Sequence, residues 1–132
     1  MTELVFWTAL SGLLLSLAWL AYVLDRIVVW GLWPALQGPA ESRPEQSAWA
    51  LRHKRAHGVA VEMFVAWGPL AALAAIVAPE DPLPGTLAQI FFFGLLIHNV
   101  SYLLGVPVVR TLAFAAGALS SAALALRLIG AI

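Results

Sequence analysis

The sequence predicts an all-α integral membrane protein built as a bundle of four transmembrane helices. Hydrophobic residues make up 62% of the 132 residues and charged residues only 11%, whereas soluble globular proteins are roughly 45–50% apolar and about 25% charged. Four apolar stretches are each close to the ~20 residues with which an α-helix crosses the hydrocarbon layer of a bilayer. Polar or proline-containing segments separate these stretches. Most of the apolar side chains are therefore expected to face lipid.

The first apolar stretch covers residues 5–24, and we expect it to be retained as a helix. Its leading residues include Glu3 and no Lys or Arg, and it is longer than the apolar part of a secretory signal. In the polar stretch that follows, residues 25–57, the central sequence QGPAESRPEQS is typical of a loop. Near the start of this stretch lies IVVWGLWPAL, in which Trp30 and Trp33 are predicted to anchor at the headgroup level of the membrane.

The other three apolar stretches cover residues 59–78, 87–106 and 111–132. Between the first two of these, APEDPLPG contains three prolines and predicts a tight hairpin. The sequence GVP at residues 105–107 breaks the chain before the last stretch, so the third and fourth helices are expected to be antiparallel neighbours. The helices are predicted at about residues 5–26, 55–78, 86–105 and 108–131, within one domain that covers residues 1–132.

The positions of the basic residues predict the orientation of the bundle. Six of the seven lie on the first and third connections, namely Arg26, Arg43, Arg52, Lys54, Arg55 and Arg110. The second connection carries Glu80 and Asp81 and no Lys or Arg. By the positive-inside rule, the first and third loops lie in the cytoplasm and both termini lie outside. The formal net charge of zero gives no electrostatic reason to expect nucleic acid as a partner. Because cysteine is absent, any thiol chemistry would use a thiol supplied by a substrate.

Small residues recur every four positions in the last helix, at Ala113, Gly117 and Ser121. This spacing lets helix backbones approach closely and favours packing inside one bundle, with a contact between subunits as the alternative. In the third helix, Asn99 and Ser101 are expected to hydrogen-bond to a neighbouring helix.

Ionisable residues within the spans and at their ends are the candidate functional residues, because a charge near the bilayer centre costs about 2.5–3.5 kcal/mol even on lenient scales. Arg55 and Glu62 are seven residues apart and share a helix face, as do His98 and Tyr102, which are four apart. Since the second and third helices are antiparallel, Glu62 and His98 can lie at similar depth, with Arg110 nearer the cytoplasmic surface. Such a lining suits a small anionic or zwitterionic molecule that bears carboxylates and an amine.

Each of these residues also has a structural interpretation. The basic cluster around Arg55 can fix the topology and contact anionic lipid. Glu62 can belong to a structural ion pair, His98 can be a neutral imidazole bonded to a neighbouring helix, and Tyr102 can be an interfacial aromatic residue.

Residues 52–62 (RHKRAHGVAVE) and residues 98–114 (HNVSYLLGVPVVRTLAF) resemble the bacterial branch of the MAPEG family, the membrane-associated proteins in eicosanoid and glutathione metabolism. Residues 19–36 (WLAYVLDRIVVWGLWPAL) are also similar to that branch, so the resemblance covers nearly the whole chain. It implies a MAPEG-like four-helix bundle that forms a homotrimer, here in the bacterial inner membrane. The enzymes of the family bind glutathione between neighbouring subunits near the cytoplasmic face.

On the second helix, the family's spacing R-x-x-x-N-x-x-E places Arg55 and Glu62 at the outer two positions, where the resemblance implies that they hold the charged ends of glutathione. Val59 stands in place of the family's Asn, and its side chain can neither donate nor accept a hydrogen bond. His53 and His57 lie on the same segment at i, i+4 spacing, but they have no further ligand partners. No metal site is therefore predicted.

On the third helix, the bacterial branch has an Arg, a Tyr three residues later and a second Tyr four residues after that. The corresponding positions here are Leu95, His98 and Tyr102, so only the last residue is the same. The resemblance implies that His98 and Tyr102 contact glutathione, whereas Leu95 lacks the cation. Arg110 matches the arginine that follows the helix-breaking proline and is held to activate the glutathione thiol in family enzymes. It would act as the catalytic residue by stabilising the thiolate.

The resemblance implies a glutathione-dependent transferase or peroxidase, with glutathione as co-substrate, that acts on small lipophilic electrophiles arriving through the bilayer. Because Val59 and Leu95 depart from the family pattern, a non-catalytic binding or scaffold protein with a degenerate glutathione site is the alternative, and the question of catalysis stays open. A small proton-coupled exporter is a third hypothesis. Such exporters carry their key carboxylate in the first helix, whereas residues 5–24 contain no acidic residue. The second substrate is not identified by the sequence.

Overall fold

The computed structural model describes all 132 residues of the chain, which folds into helices only. In chain order these are α1 (Glu3–Trp30), α2 (Leu32–Gln37), α3 (Ala48–Val77), α4 (Leu83–Leu104) and α5 (Pro107–Leu128). All except the short α2 are long enough and apolar enough to cross a membrane. The prediction of an all-α membrane bundle with four long apolar helices is confirmed.

Two of the helices extend further than the sequence suggested. Helix α1 continues to Trp30 because no helix breaker precedes Gly31, whose φ of 87° is readily adopted only by glycine. The Gly31 N–H then closes the helix by donating to the Ile27 carbonyl at 2.8 Å. Helix α3 begins at Ala48, although the sequence predicted about residue 55. Residues 48–54 are charged and polar in part, but they contain no Gly or Pro and are rich in helix-forming Ala, Leu, Arg and Lys.

Helices α1 and α3 are antiparallel neighbours. The Trp67 indole N–H donates to Thr8 Oγ1 at 3.1 Å, and at the other end His53 Nε2 lies 2.8 Å from the Ala18 carbonyl oxygen. The ends of α1 and α4 and the starts of α3 and α5 thus lie together. We call this part of the bundle the basic end, because it carries Arg26, Arg43, Arg52, Lys54, Arg55 and Arg110.

The core is centred on α3 and α4. Trp67 and Phe91 are fully buried and stack with their ring centroids 4.6 Å apart. Leu95 and Leu124 are also fully buried in this core. Stacked aromatic pairs contribute about 0.5–1.5 kcal/mol beyond the burial of their surface. The core therefore fixes how α4 sits against α3.

Helices α4 and α5 approach each other along their small residues. A Cβ placed on Gly94 would lie 2.9 Å from the Ala113 carbonyl oxygen and 3.1 Å from the Gly117 nitrogen. Ala113, Gly117 and Ser121 are all buried within the chain. Their four-residue spacing therefore serves packing inside the bundle, as the sequence predicted.

The expectation that Asn99 and Ser101 bond between helices was wrong. Asn99 Nδ2 donates to the Leu95 carbonyl at 2.8 Å, and Ser101 Oγ donates to the carbonyls of Ile97 and His98, so both bond within α4. Short polar side chains in helices commonly donate a hydrogen bond to the backbone carbonyl three or four residues earlier. The Asn99 Oδ1 atom remains buried without a partner.

Arg52 of α3 caps the end of α4. Its Nε donates to the Leu103 carbonyl at 3.0 Å, and its side chain lies against Gly105, whose φ of 75° ends the helix. A donor with a positive charge satisfies a terminal carbonyl and complements the helix dipole, an effect of typically 0.3–1 kcal/mol.

We expect Arg52→Ala to lower the midpoint of thermal unfolding in detergent by roughly 1–4 °C, because the cap and its charge are lost. Circular dichroism at 222 nm measures this midpoint. Lys54→Ala, which removes an exposed cation two residues away, is the matched control and should leave the midpoint nearly unchanged. Equal midpoints for the two variants would contradict the capping role.

An ion pair joins the α3–α4 connection to α5 at the end of the bundle opposite the basic end. Arg127 Nε lies 2.7 Å from Asp81 Oδ2, and the Leu83 N–H donates to Asp81 Oδ1 at 3.0 Å. The hydrogen bond from Arg127, followed by that from Leu83, holds the pKa of Asp81 below its ordinary value of 3.8. A carboxyl group with a lowered folded-state pKa stabilises the fold above the ordinary pKa, and this stabilisation is lost as the pH falls through the lowered value.

We expect Asp81→Asn to lower the midpoint of thermal unfolding slightly at neutral pH, since the exposed ion pair is weak. The difference from the unaltered protein should shrink as the pH falls below 3.8. This difference in midpoint is measured from thermal unfolding curves between neutral and strongly acidic pH, in a detergent that has no titratable groups. A difference that grows towards acidic pH would contradict the stabilisation of the fold by ionised Asp81.

Candidate functional site

Three of the five predicted site residues lie together at the basic end. Pro107 starts α5, where its missing N–H costs no hydrogen bond, and this places Arg110 in the first turn of the helix. The Arg110 Cζ atom lies 4.5 Å from the centroid of the Tyr102 ring. The rings of Tyr102 and His98 meet edge to face, with centroids 5.6 Å apart. We call these three residues the Arg110 cluster.

His98 links α4 to the start of α5. It is 3% exposed, and its Nδ1 lies 3.1 Å from the Arg110 carbonyl oxygen. Because a carbonyl oxygen can only accept, Nδ1 of His98 donates to it, and in the neutral imidazole Nε2 is then an acceptor. That Nε2 is buried and has no partner. An unpaired buried acceptor costs about 1–3 kcal/mol, so a ligand N–H, O–H or S–H that reached it would be stabilised.

The Arg110 guanidinium has no counter-charge within the chain. The only ion pair in the protein joins Arg127 and Asp81 at the opposite end. A guanidinium stacked on an aromatic face keeps its N–H edge free for other partners. A half-buried cation with free donors is well suited to bind an anion such as a carboxylate or a thiolate.

Glu62 lies in a groove between α3 and α5. The groove has a volume of about 230 Å³ and is lined by Glu62, Met63, Ala66, Phe114, Ala118 and Ser121. Phe114 also contacts His98, with ring centroids 6.1 Å apart. Because Arg110, Phe114 and Ala118 are spaced four residues apart, they follow one face of α5. Two residues that line the groove, Phe114 and Ala118, therefore share a face of α5 with Arg110.

The two charged candidate residues on α3 are exposed on the surface of the chain. Arg55 and Glu62 are both exposed, and neither forms an ion pair within the chain. No hydrogen bond, ion pair or cation–π contact joins either of them to Arg110 or Tyr102. An unpaired carboxylate on a membrane-spanning helix is costly in lipid, and no cation of this chain forms an ion pair with Glu62.

The two positions that depart from the family pattern both belong to the core. Leu95 is fully buried, and Val59 is partly buried and packs against the same cluster. An arginine at position 95 would have no room in this packing and no carboxylate to pair with, and a buried unpaired charge is strongly destabilising. These two substitutions therefore contribute to packing in this chain.

The sequence reasoning missed a polar contact between α1 and α3. The Tyr22 hydroxyl lies 2.9 Å from His57 Nδ1, and the rings of His53 and His57 lie 5.9 and 5.8 Å from the Tyr22 ring. The i, i+4 spacing of the two histidines was the available signal, because it directs both rings to the same neighbouring helix. No group of three metal-ligating side chains is present in the chain.

The chain matches one known protein family. The model of the MAPEG family matches residues 4–130 of this 132-residue chain, a range that takes in nearly all of the four long helices. No curated protein matches the chain at a significant level.

Proposed function

Because the chain belongs to the MAPEG family, we propose that it is a membrane-bound glutathione-dependent transferase or peroxidase that acts on small lipophilic electrophiles. The observation that carries this proposal is the Arg110 guanidinium, which lies over the Tyr102 ring at 4.5 Å and has no carboxylate partner. Such a cation can bind a thiolate that the chain itself, lacking cysteine, cannot supply.

Arg110 would act by changing the ionisation of the glutathione thiol. A positive charge beside a thiol favours the anion and lowers the thiol pKa, so more of the nucleophilic thiolate is present at neutral pH. In the transferase reaction the sulfur forms a bond to carbon, the leaving group departs with its electron pair, and the thiol proton passes to water. The unpartnered Nε2 of His98 supports a second contact, in which it accepts an N–H of the tripeptide.

We further propose that the glutathione site lies between subunits of a homotrimer, with the basic end facing the cytoplasm of the bacterial inner membrane. The exposure of Arg55 and Glu62 supports this arrangement, because a neighbouring subunit would remove an unpaired carboxylate from contact with lipid. Arg55 would bind a carboxylate of glutathione and Glu62 its amine, while Tyr102 would orient the backbone of the tripeptide.

Glu62→Gln is expected to weaken glutathione binding about tenfold or more, since a hydrogen bond to a charged group contributes about 1.5–3 kcal/mol. Titration calorimetry on the purified protein in detergent measures the affinity. Glu80→Gln, which removes an exposed carboxylate at the opposite end, is the matched control and should bind glutathione as the unaltered protein does. Unchanged affinity in Glu62→Gln would remove this residue from the proposed site.

Turnover and binding together test the proposed function. The purified protein is incubated with glutathione and either a chlorinated dinitrobenzene or a lipid hydroperoxide, and conjugate or oxidised glutathione is measured beside the calorimetric affinity. Turnover of either electrophile is the expected result. Binding without turnover would favour a non-catalytic scaffold, the alternative that the buried Leu95 supports. If the protein neither binds glutathione nor turns it over, both the enzymatic proposal and the scaffold alternative are refuted.

A further inference from the structure

A second cationic site lies where α1 ends, and none of the residues proposed to bind glutathione takes part in it. Trp30 is flanked by two arginines: the Cζ atom of Arg26 lies 5.3 Å from the Trp30 ring centroid, and that of Arg43 lies 5.5 Å from it. Arg26 is one helical turn before Trp30 on α1, whereas Arg43 comes from the connection after α2. We call Arg26, Trp30 and Arg43 the Trp30 site.

Neutral groups hold the Trp30 site in place. The Trp30 indole N–H donates to the Pro44 carbonyl at 2.6 Å, which fixes the ring against the connection. Arg43 Nη2 donates to Gln37 Oε1 at 3.3 Å, and Arg26 Nε donates to Gln46 Oε1 at 3.4 Å. The two guanidinium groups are thus positioned by amides and an aromatic ring, and these contacts leave their charges uncompensated.

No carboxylate of the chain forms an ion pair with the arginines of the Trp30 site, including Glu41 and Glu45, which flank Arg43 in the sequence. The nearby carboxylate of Asp25 is buried and accepts hydrogen bonds from the Ser47 N–H at 3.1 Å and from Gln46 Nε2 at 3.3 Å. Neither Arg26 nor Arg43 forms an ion pair, and Arg43 Nε is buried without any hydrogen-bond partner. Two cations held around one indole repel each other, so an external anion that bound both would remove this repulsion and satisfy the free donor.

The surroundings of the site indicate which anion can reach it. On α2, Leu32, Trp33 and Leu36 are 60, 69 and 68% exposed, and Val28 in the last turns of α1 is 83% exposed. Exposed Trp and Leu at the end of a membrane span are expected to sit at the boundary of headgroups and acyl chains. At that depth the neighbouring arginines would lie among lipid phosphates.

We propose that the Trp30 site binds the phosphate of an anionic phospholipid, with α2 lying in the membrane interface beside it. Planar guanidinium groups donate two parallel N–H bonds to phosphate oxygens, which a lysine cannot do. Arg26 and Arg43 would clasp one phosphate from the two sides of the connection, and the exposed side chains of α1 and α2 would contact the acyl chains. Binding at this site would hold the α1–α3 connection against the membrane.

Native mass spectrometry of delipidated protein titrated with phosphatidylglycerol tests the proposal, with phosphatidylcholine as the zwitterionic comparison. The unaltered protein is expected to retain one phosphatidylglycerol at concentrations where phosphatidylcholine dissociates. Arg43→Gln should weaken this binding about fivefold, and the double variant Arg26→Gln, Arg43→Gln about 30-fold, because each basic residue near an anionic surface contributes about 1 kcal/mol. Arg43→Lys should be intermediate, since it keeps the charge but loses the planar donors.

Lys54→Gln is the matched control, because it removes an exposed cation at the same end of the bundle. An equal loss of phosphatidylglycerol in Lys54→Gln and Arg43→Gln would overturn the proposal in favour of diffuse attraction. Displacement of the lipid by inorganic phosphate at equal concentration would overturn it in favour of a soluble ligand. Helicity measured by circular dichroism identifies misfolded variants, and should the double variant misfold, Arg43→Gln alone decides the outcome.

Discussion

Arg110→Ala is expected to reduce glutathione-dependent turnover about 100-fold or more, the effect typical of removing a group that stabilises developing charge in an active site. The variant should remain folded, because the contact that Arg110 makes with His98 uses its backbone carbonyl. The guanidinium lies over the Tyr102 ring and bonds to no other part of the chain. Its loss therefore removes a charge from the proposed site and leaves the hydrogen bond between α4 and α5 in place.

The thiol itself gives a second measurement of the same effect. If Arg110 lowers the pKa of bound glutathione, the thiolate absorbance near 240 nm should appear at higher pH in Arg110→Ala than in the unaltered protein. Arg127→Ala is the matched control, since it removes an arginine from the other end of the same helix, where Arg127 pairs with Asp81. It should leave both turnover and the thiol titration nearly unchanged. Equal turnover in the two variants would refute thiolate stabilisation by Arg110.

The sequence predicted the four long helices because each contains an apolar stretch close to the length that crosses a bilayer. Gly105 and Pro107 separate α4 from α5 in the structure, where the sequence placed the turn. The first connection was harder to predict, because its charged residues are compatible with helix as well as with loop. Only the backbone requirement at Gly31 decides where α1 ends, and a short amphipathic segment such as α2 gives too few residues for a periodic pattern.

The candidate site could be predicted from spacing where its residues share one helix. His98 and Tyr102 are an example, since four residues on α4 bring their rings together. The bond from His98 to the Arg110 carbonyl depends on how far α5 is shifted along α4, which no local pattern encodes. The burial of Leu95 likewise follows from the rotation of α4 against α3, so a position that the family resemblance assigned to the site lies in the core.

Gly94→Ala is expected to lower the free energy of unfolding by about 1–3 kcal/mol, the usual cost of inserting a group into a tightly packed core. The added Cβ would meet backbone atoms of Ala113 and Gly117, which cannot rotate away, so α4 and α5 would have to move apart. Separation of these helices would lengthen the contact between His98 and the Arg110 carbonyl. Glutathione turnover should therefore fall together with stability.

Gly117→Ala provides the matched control for this prediction. Its added Cβ would meet the terminal methyl of Met63, a flexible side chain that can adopt another rotamer, so the cost should be clearly smaller. Both variants place one methyl group in the packing around α5, and only the partner atoms differ. The stabilities of the two variants are compared by unfolding in detergent, followed by circular dichroism. A larger loss of stability in Gly117→Ala than in Gly94→Ala would mean that backbone contact between α4 and α5 does not limit the packing of the bundle.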